Sequence, residues 1–167
     1  SRGLGDVYKR QYPQRSIRTK DYQFIINFKP DRWPLGDPYR LDGDNEPSYS
    51  LLENRTFVTL ADEDAGPTKA WIVTNRNDPK VNPIYKAVYG KRPKEELYDL
   101  KKDPDQMDNL ANNPKHAQTV KKLRHRLMKY LRETNDPRLI DDGKFFETPP
   151  MAGEVKDQRT IEQAIAD

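Results

Sequence analysis

No cysteine occurs among the 167 residues, which excludes disulfides, thiolate nucleophiles and Cys-based metal sites together. No apolar run approaches the roughly 20 residues that a membrane-spanning helix needs. Residues 1–11 hold no apolar stretch that could serve as the core of a secretion signal. Apolar residues are scarce throughout: 34% are hydrophobic and 34% charged, with 14 prolines, where a compact domain carries about half apolar residues. That shortfall predicts a small core, long irregular connections and a face that expects a partner. Nine Tyr, five Phe and two Trp argue against full disorder, because disordered chains are poor in aromatics.

Residues 1–11, Ser1-Arg2-Gly3-Leu4-Gly5-Asp6-Val7-Tyr8-Lys9-Arg10-Gln11, fit nothing that follows them. Asp6–Gln11 can be encoded by GATGTGTATAAGAGACAG and the preceding residues by TCTCGTGGGCTCGGA, together the end of a transposon-based sequencing adapter. The segment reads as a translated, non-native scar, with natural sequence entering mid-chain near Tyr12. Any export signal would then lie upstream. Setting aside Arg2, Lys9 and Arg10 against Asp6 lowers the net charge from +3 to +1. The basic pI is thus no argument for nucleic acid.

Ser16–Thr19 and Tyr22–Phe28 read as two strands around the turn Lys20-Asp21, on the strength of Ile17, Tyr22, Phe24, Ile25, Ile26 and Phe28. From Lys29 to about Pro67 turn formers dominate, notably Trp33-Pro34-Leu35-Gly36-Asp37-Pro38 and Asp42-Gly43-Asp44-Asn45-Glu46-Pro47. Proline fixes φ and restricts its predecessor, so regular structure here is expected to be brief; both a binding loop and a meandering surface excursion fit. Two short helices follow. One starts at Pro67; the other is capped by Asn82, begins at Pro83 and stops at Gly90. Glu95–Leu100 reads as a third strand, closed by Lys102-Asp103-Pro104.

The strongest local signal is an amphipathic helix over Pro114–Thr134, capped by Asn113. Ala117, Val120, Leu123, Leu127, Met128 and Leu131 fall on one face. Lys121, Lys122, Arg124, Arg126, Lys129 and Arg132 fill much of the rest. Such a face can mark a membrane or a calmodulin-like partner, but a helix laying one stripe on a sheet explains it more simply, with Lys and Arg stems along its flanks. Asn135-Asp136-Pro137 ends it, and the tail beyond Arg138 is turn-rich, polar and weakly helical at best over Val155–Asp167. The sum is an α+β unit: a small antiparallel sheet packed by a long C-terminal amphipathic helix, with long irregular loops.

At this point the residues resemble a family. Tyr12-Pro13-Gln14-Arg15-Ser16-Ile17-Arg18, Asp21-Tyr22 and Asn27-Phe28-Lys29 look like the C-terminal entry segment of sulfatases, nearest the sulfamidase branch and its bacterial relatives. A second block is more specific: Glu96-Leu97-Tyr98-Asp99-Leu100, Asp103-Pro104, Asn109-Leu110-Ala111, Pro114, the helix, then Glu133-Thr134-Asn135-Asp136-Pro137. The likeness runs over 12–137, and more faintly over Gly143–Pro150. It implies a sulfatase C-terminal subdomain over 12–137, followed by an irregular tail over 138–167.

The resemblance also sets expectations for chemistry. Sulfatases hydrolyse sulfate esters or sulfamates with a formylglycine made from a Cys/Ser-x-Pro/Ala-x-Arg motif, beside a calcium ion held by Asp and Asn. Neither Ser16, Ser48 nor Ser50 begins that motif, and Asp141-Asp142 lies in the turn-rich tail, where a solvated loop is the safer reading. Formylglycine and calcium are therefore expected in an N-terminal catalytic domain outside these residues, with this segment inert alone. Its partners would be that domain and a sulfated carbohydrate, without nucleic acid or membrane, in a periplasmic or secreted protein.

Anionic substrates direct attention to cations. Arg15 is the first candidate for substrate binding, and an ion pair tying domains together is its structural alternative. Arg18 and Lys69 follow, Lys69 because it lies at a helix start, where backbone N–H groups favour anions. His116 and His125 are expected on the helix surface. The rival reading is a stand-alone carbohydrate- or anion-binding module that uses Trp33, Trp71 and tyrosines as stacking platforms, with Arg and Lys for sulfate.

Overall fold

The computed structural model describes residues 12–43 and 45–147. The adapter-like segment and the expected weakly helical stretch Val155–Asp167 lie outside them, as does the end of the Gly143–Pro150 stretch. The fold is α+β, and it divides into two compact units. Among the described residues, one combines 12–30 with 93–147; the other lies within Asp31–Arg92.

In the first unit, strands β1 (Gln14–Arg18), β2 (Tyr22–Asn27) and β3 (Glu95–Asp99) form an antiparallel sheet in the order β1-β2-β3. The first turn is tied by Thr19, whose hydroxyl accepts from the Tyr22 N–H at 2.9 Å. Phe24, Ile26 and Leu97 form one buried face of the sheet, and Val120, Leu123, Leu127 and Leu131 of the C-terminal helix close over it. Each such side chain, fully buried, contributes about 1.5–3 kcal/mol. That stripe is the reason the helix forms where it does. Ala117, expected on the same face, is exposed, because it lies in the first turn, where the helix has not yet reached the sheet's hydrophobic cluster.

The residues that carried the family likeness prove to be the fasteners of this unit. Asp99 Oδ1 accepts from the Lys101 and Lys102 N–H groups at 3.1 and 3.2 Å. Asp103 accepts from the Met107 and Asp108 N–H groups at 3.0 and 2.8 Å, and these bonds hold its carboxyl below the ordinary carboxylate value. Asn109 laces the edge of β3: its Oδ1 accepts from the Leu97 N–H at 2.9 Å, its Nδ2 donates to the Glu95 carbonyl at 3.2 Å. Leu110 N–H adds a bond to the Leu97 carbonyl. Asn113 Oδ1 accepts from the Lys115 N–H, capping a 3-10 turn at Pro114–His116 rather than the α-helix itself, which runs Ala117–Glu133.

That helix ends in a Schellman closure. Asn135 takes the left-handed conformation, φ 51°. The Asn135 N–H donates to the Arg132 carbonyl and the Asp136 N–H to that of Leu131, which satisfies two terminal carbonyls.

The second unit is built around Leu41, Leu52, Val58, Leu60, Ala70, Ile72, Val73, Val81 and Tyr89. The proline-rich stretch is thus neither a bare loop nor a surface excursion, since Leu41, Leu52, Val58 and Leu60 supply much of this core. It contains the short helix α1 (Tyr49–Asn54), capped by Ser48, whose hydroxyl accepts from the Leu51 N–H. Helix α2 (Pro67–Thr74) starts at Pro67 as expected. Helix α3 (Asn82–Tyr89) does not have Asn82 as its cap: Val81 holds that position, and Asn82 Nδ2 instead donates back to the Arg76 carbonyl at 2.8 Å. Gly90 stops α3; a Cβ there would sit 2.4 Å from the Lys86 carbonyl oxygen. Numbering the C-terminal helix Ala117–Glu133 as α4, a last short turn α5 occupies Lys144–Glu147.

Candidate functional site

Strand alternation sorts the candidates of the first unit onto two faces. Arg15 and Ile17 pair with Ile26 and Phe24, the residues that face α4. Ser16 and Arg18 fall on the opposite face, away from α4. There the register sets Arg18, Gln23 and Tyr98 in one cross-strand row and Ser16, Ile25 and Glu96 in the next. Arg15 and Arg18 are therefore not brought together.

That face carries a buried polar anchor. Asn27, 1% exposed, donates from Nδ2 to Glu96 Oε1 and to the Pro93 carbonyl, both at 2.6 Å. Tyr98 donates its hydroxyl hydrogen to the other Glu96 oxygen. Both oxygens of the Glu96 carboxylate are thus occupied, and Asn27 Oδ1 is buried without a partner among the described residues. Arg18, the last residue of β1, is exposed and makes no ion pair with any described residue. A free guanidinium opposite the Gln23 amide can hold an anionic group. It offers no nucleophile.

Arg15 is engaged within its own unit. Its Nε and Nη2 donate to Asp136 Oδ2 and Oδ1 at 2.8 and 3.0 Å, and Nη1 donates to the Gln14 carbonyl at 2.9 Å. The ring of Phe146 lies 5.6 Å from its guanidinium carbon. The fork joins β1 to the turn after α4.

Lys69 belongs to the second unit and is 1% exposed. Its Nζ donates to the carbonyls of Thr56 and Leu60 at 3.1 Å and of Glu63 at 3.0 Å. An ammonium has three N–H donors, so none is left for an anion in this conformation. Burial pulls its pKa down, and the neighbouring Glu63 and Asp64 carboxylates oppose that shift. The side chain reads as a clasp for the 56–63 loop. Leu60, whose carbonyl is one of the three that accept from Lys69, has a left-handed backbone, φ 49°, unusual for a bulky residue.

His116 is partly buried, not solvated, because it packs edge-on against Tyr22 at 6.2 Å; His125 is exposed as expected. Asp141 and Asp142 are exposed, and Asp142 pairs with Lys29, which holds its carboxyl below the usual range.

No protein-family profile matches the chain. Human N-sulphoglucosamine sulphohydrolase is 32% identical over 130 residues, covering 75% of this chain and 21% of that protein. An ulvan-active sulfatase of Formosa agariphila is 24% identical over 133 residues, covering 79% of this chain and 19% of that one. The chain is homologous to sulfatases. It spans about a fifth of the length of these curated relatives, and the matched stretch agrees with a sulfatase C-terminal segment.

The residues present do not fit the groups that sulfatase chemistry implies. There is no cysteine, and none of Ser1, Ser16, Ser48 or Ser50 has Pro or Ala two residues on and Arg four residues on, as a formylglycine precursor requires. Among the described residues no three His, Asp or Glu side chains cluster so as to hold a metal ion. Among those residues, too, no helix is long and apolar enough to cross a membrane.

The aromatic candidates differ in what they offer a sugar. Lys91 Nζ sits 4.9 Å from the Trp33 ring centroid, so one face of that indole is taken. Trp71 is 48% exposed on α2.

Proposed function

We propose that this chain is the C-terminal subdomain of a sulfatase that hydrolyses sulfate esters or sulfamates of sulfated carbohydrates. In this reading the formylglycine and calcium reside in a catalytic domain outside these residues. The subdomain supplies a stiff scaffold, with the exposed Arg18, on the sheet face away from α4, as its contribution to holding an anionic substrate. Arg15 and Lys69, both engaged internally, hold the scaffold together.

The observation that carries this reading is an imbalance of coverage: the homology takes in three quarters of the chain but only a fifth of each relative. Without a precursor motif in the sequence, the chain alone has no atom to attack sulfur. Incubating the purified chain with an aryl sulfate and with N-sulfoglucosamine tests this. No turnover is expected, and sulfate release above a buffer control would overturn the reading.

A further inference from the structure

Helix α4 carries more positive charge than the whole protein. Six cations, Lys121, Lys122, Arg124, Arg126, Lys129 and Arg132, stand against the single carboxylate Glu133, while the full chain is +3. The remaining residues together are therefore negative, and the excess is concentrated on one element. All six cations are exposed. Arg124 is paired with Glu95 and Lys129 with Glu133. Among the described residues Lys121, Lys122, Arg126 and Arg132 have no ion-pair partner.

Three of these, Lys121, Lys122 and Arg132, form a track with His125 and Lys129. At 3.6 residues per turn, Lys121, Lys122, His125, Lys129 and Arg132 fall opposite the buried stripe of Val120, Leu123, Leu127 and Leu131. From Lys121 to Arg132 the track runs about 17 Å along the axis. A shallow groove of about 590 Å³ runs along its edge, lined by Gln118, Lys121, Lys122, His125, Met128, Arg132 and the Glu95-paired Arg124.

The apolar stripe rules out two familiar uses of a basic amphipathic helix. Membrane insertion and capture in a hydrophobic groove both need the apolar face free, and in this chain it is sealed against the sheet. What remains is contact by charge along a line. Base stacking along a strand uses successive aromatic platforms, and the groove's lining offers the single imidazole of His125.

We propose that this face of α4 binds a linear sulfated polysaccharide, the polymer from which the proposed sulfatase takes its substrate; the choice of a glycan as the polyanion rests on that reading. Sulfates fall beside the free Lys and Arg heads, and the thioether of Met128 gives the sugar's C–H surface an apolar floor. The face lies on α4, opposite the buried stripe, and so is distinct from the sheet face that carries Arg18. It tethers polymer rather than acting on it.

The test compares the 167-residue chain with two charge-matched variants. One is Lys121→Glu/Lys122→Glu/Arg132→Glu; the other is Lys80→Glu/Lys86→Glu/Lys94→Glu, which reverses three exposed lysines off the helix. Binding to heparin, to desulfated heparin and to duplex DNA is measured over a salt series, with far-UV circular dichroism to confirm folding. The chain is expected to bind heparin with affinity that falls as salt rises, and the helix variant about tenfold or more weaker. The off-helix variant should match the parent, and desulfated heparin should not bind. Equal losses in both variants, no loss in the helix variant, or DNA bound as tightly as heparin would each overturn the proposal. The readout is separate from hydrolysis, so this binding can fail with the sulfatase reading intact, and the reverse.

Discussion

Arg15 and Asp136 lie 121 residues apart in sequence and meet in a two-pronged hydrogen bond of 2.8 and 3.0 Å. Asp136 does more than receive the guanidinium. Its backbone N–H closes the end of α4, and its Oδ1 accepts from the Arg138 N–H at 2.8 Å to start the next turn. One residue thus joins the first strand, the long helix and the segment beyond it.

Replacing Asp136 by Asn keeps the size and removes the charge. A loss of about 1–3 kcal/mol is expected, measured by urea unfolding at neutral pH. Burial pushes the Asp136 carboxyl up, but hydrogen bonds from Arg15 and the Arg138 N–H outweigh it and hold the group below its ordinary value. A depressed folded-state pKa gives stability that is present above about pH 4 and lost as pH falls through the folded value. The variant should therefore lose less than the parent on acidification below about pH 4. An identical acid profile would show that the fork contributes nothing.

Lys69→Met leaves the carbonyls of Thr56, Leu60 and Glu63 without the ammonium that now satisfies them. The expected cost is about 2–4 kcal/mol, confined to the unit Asp31–Arg92. Hydrogen exchange should rise in residues 56–63 and leave α4 unchanged. An unaltered exchange pattern would contradict the clasp.

Tyr89, 1% exposed, donates to Glu63 Oε2 at 2.5 Å. Burial, and then that carboxylate, push the phenol far above its ordinary value near 10. A raised pKa gives stability that is present below the unfolded value and lost as pH climbs beyond it, so alkaline weakening should begin near about pH 10. Tyr89→Phe should cost about 1 kcal/mol at neutral pH and blunt the alkaline loss. A steeper alkaline loss in the variant would count against this.

Asn135 holds the left-handed position that ends α4. Asn135→Gly should be neutral or slightly stabilising, and Asn135→Ala should cost about 1 kcal/mol, read from thermal melts. Reversal of that order would mean the closure is unimportant.

The sheet and α4 were legible because their signals are periodic: alternation around Phe24 and Ile26, and three- and four-residue spacing from Val120 to Leu131. What escaped was fixed by distant partners. Ser48 and the pair Leu51-Leu52 were the only local sign of α1, too brief to stand out among prolines. Asn82 resembled a cap, yet its amide is spent on Arg76. Lys69 gave no local sign of burial, because the three carbonyls that hold it come from a loop 6 to 13 residues earlier. Arg15 could be flagged from its place in the segment, but not its partner. Strand parity alone separates Arg15 from Arg18.

Sequencing the source DNA across the codon for Tyr12 and upstream of it tests most directly whether this chain is a piece of a sulfatase. The expected result is one open frame that continues through Tyr12, replaces residues 1–11 with other coding sequence, and encodes a Cys- or Ser-led formylglycine motif several hundred residues earlier. A frame without that motif, or one that keeps residues 1–11 as native sequence beginning at its own start codon, would contradict it.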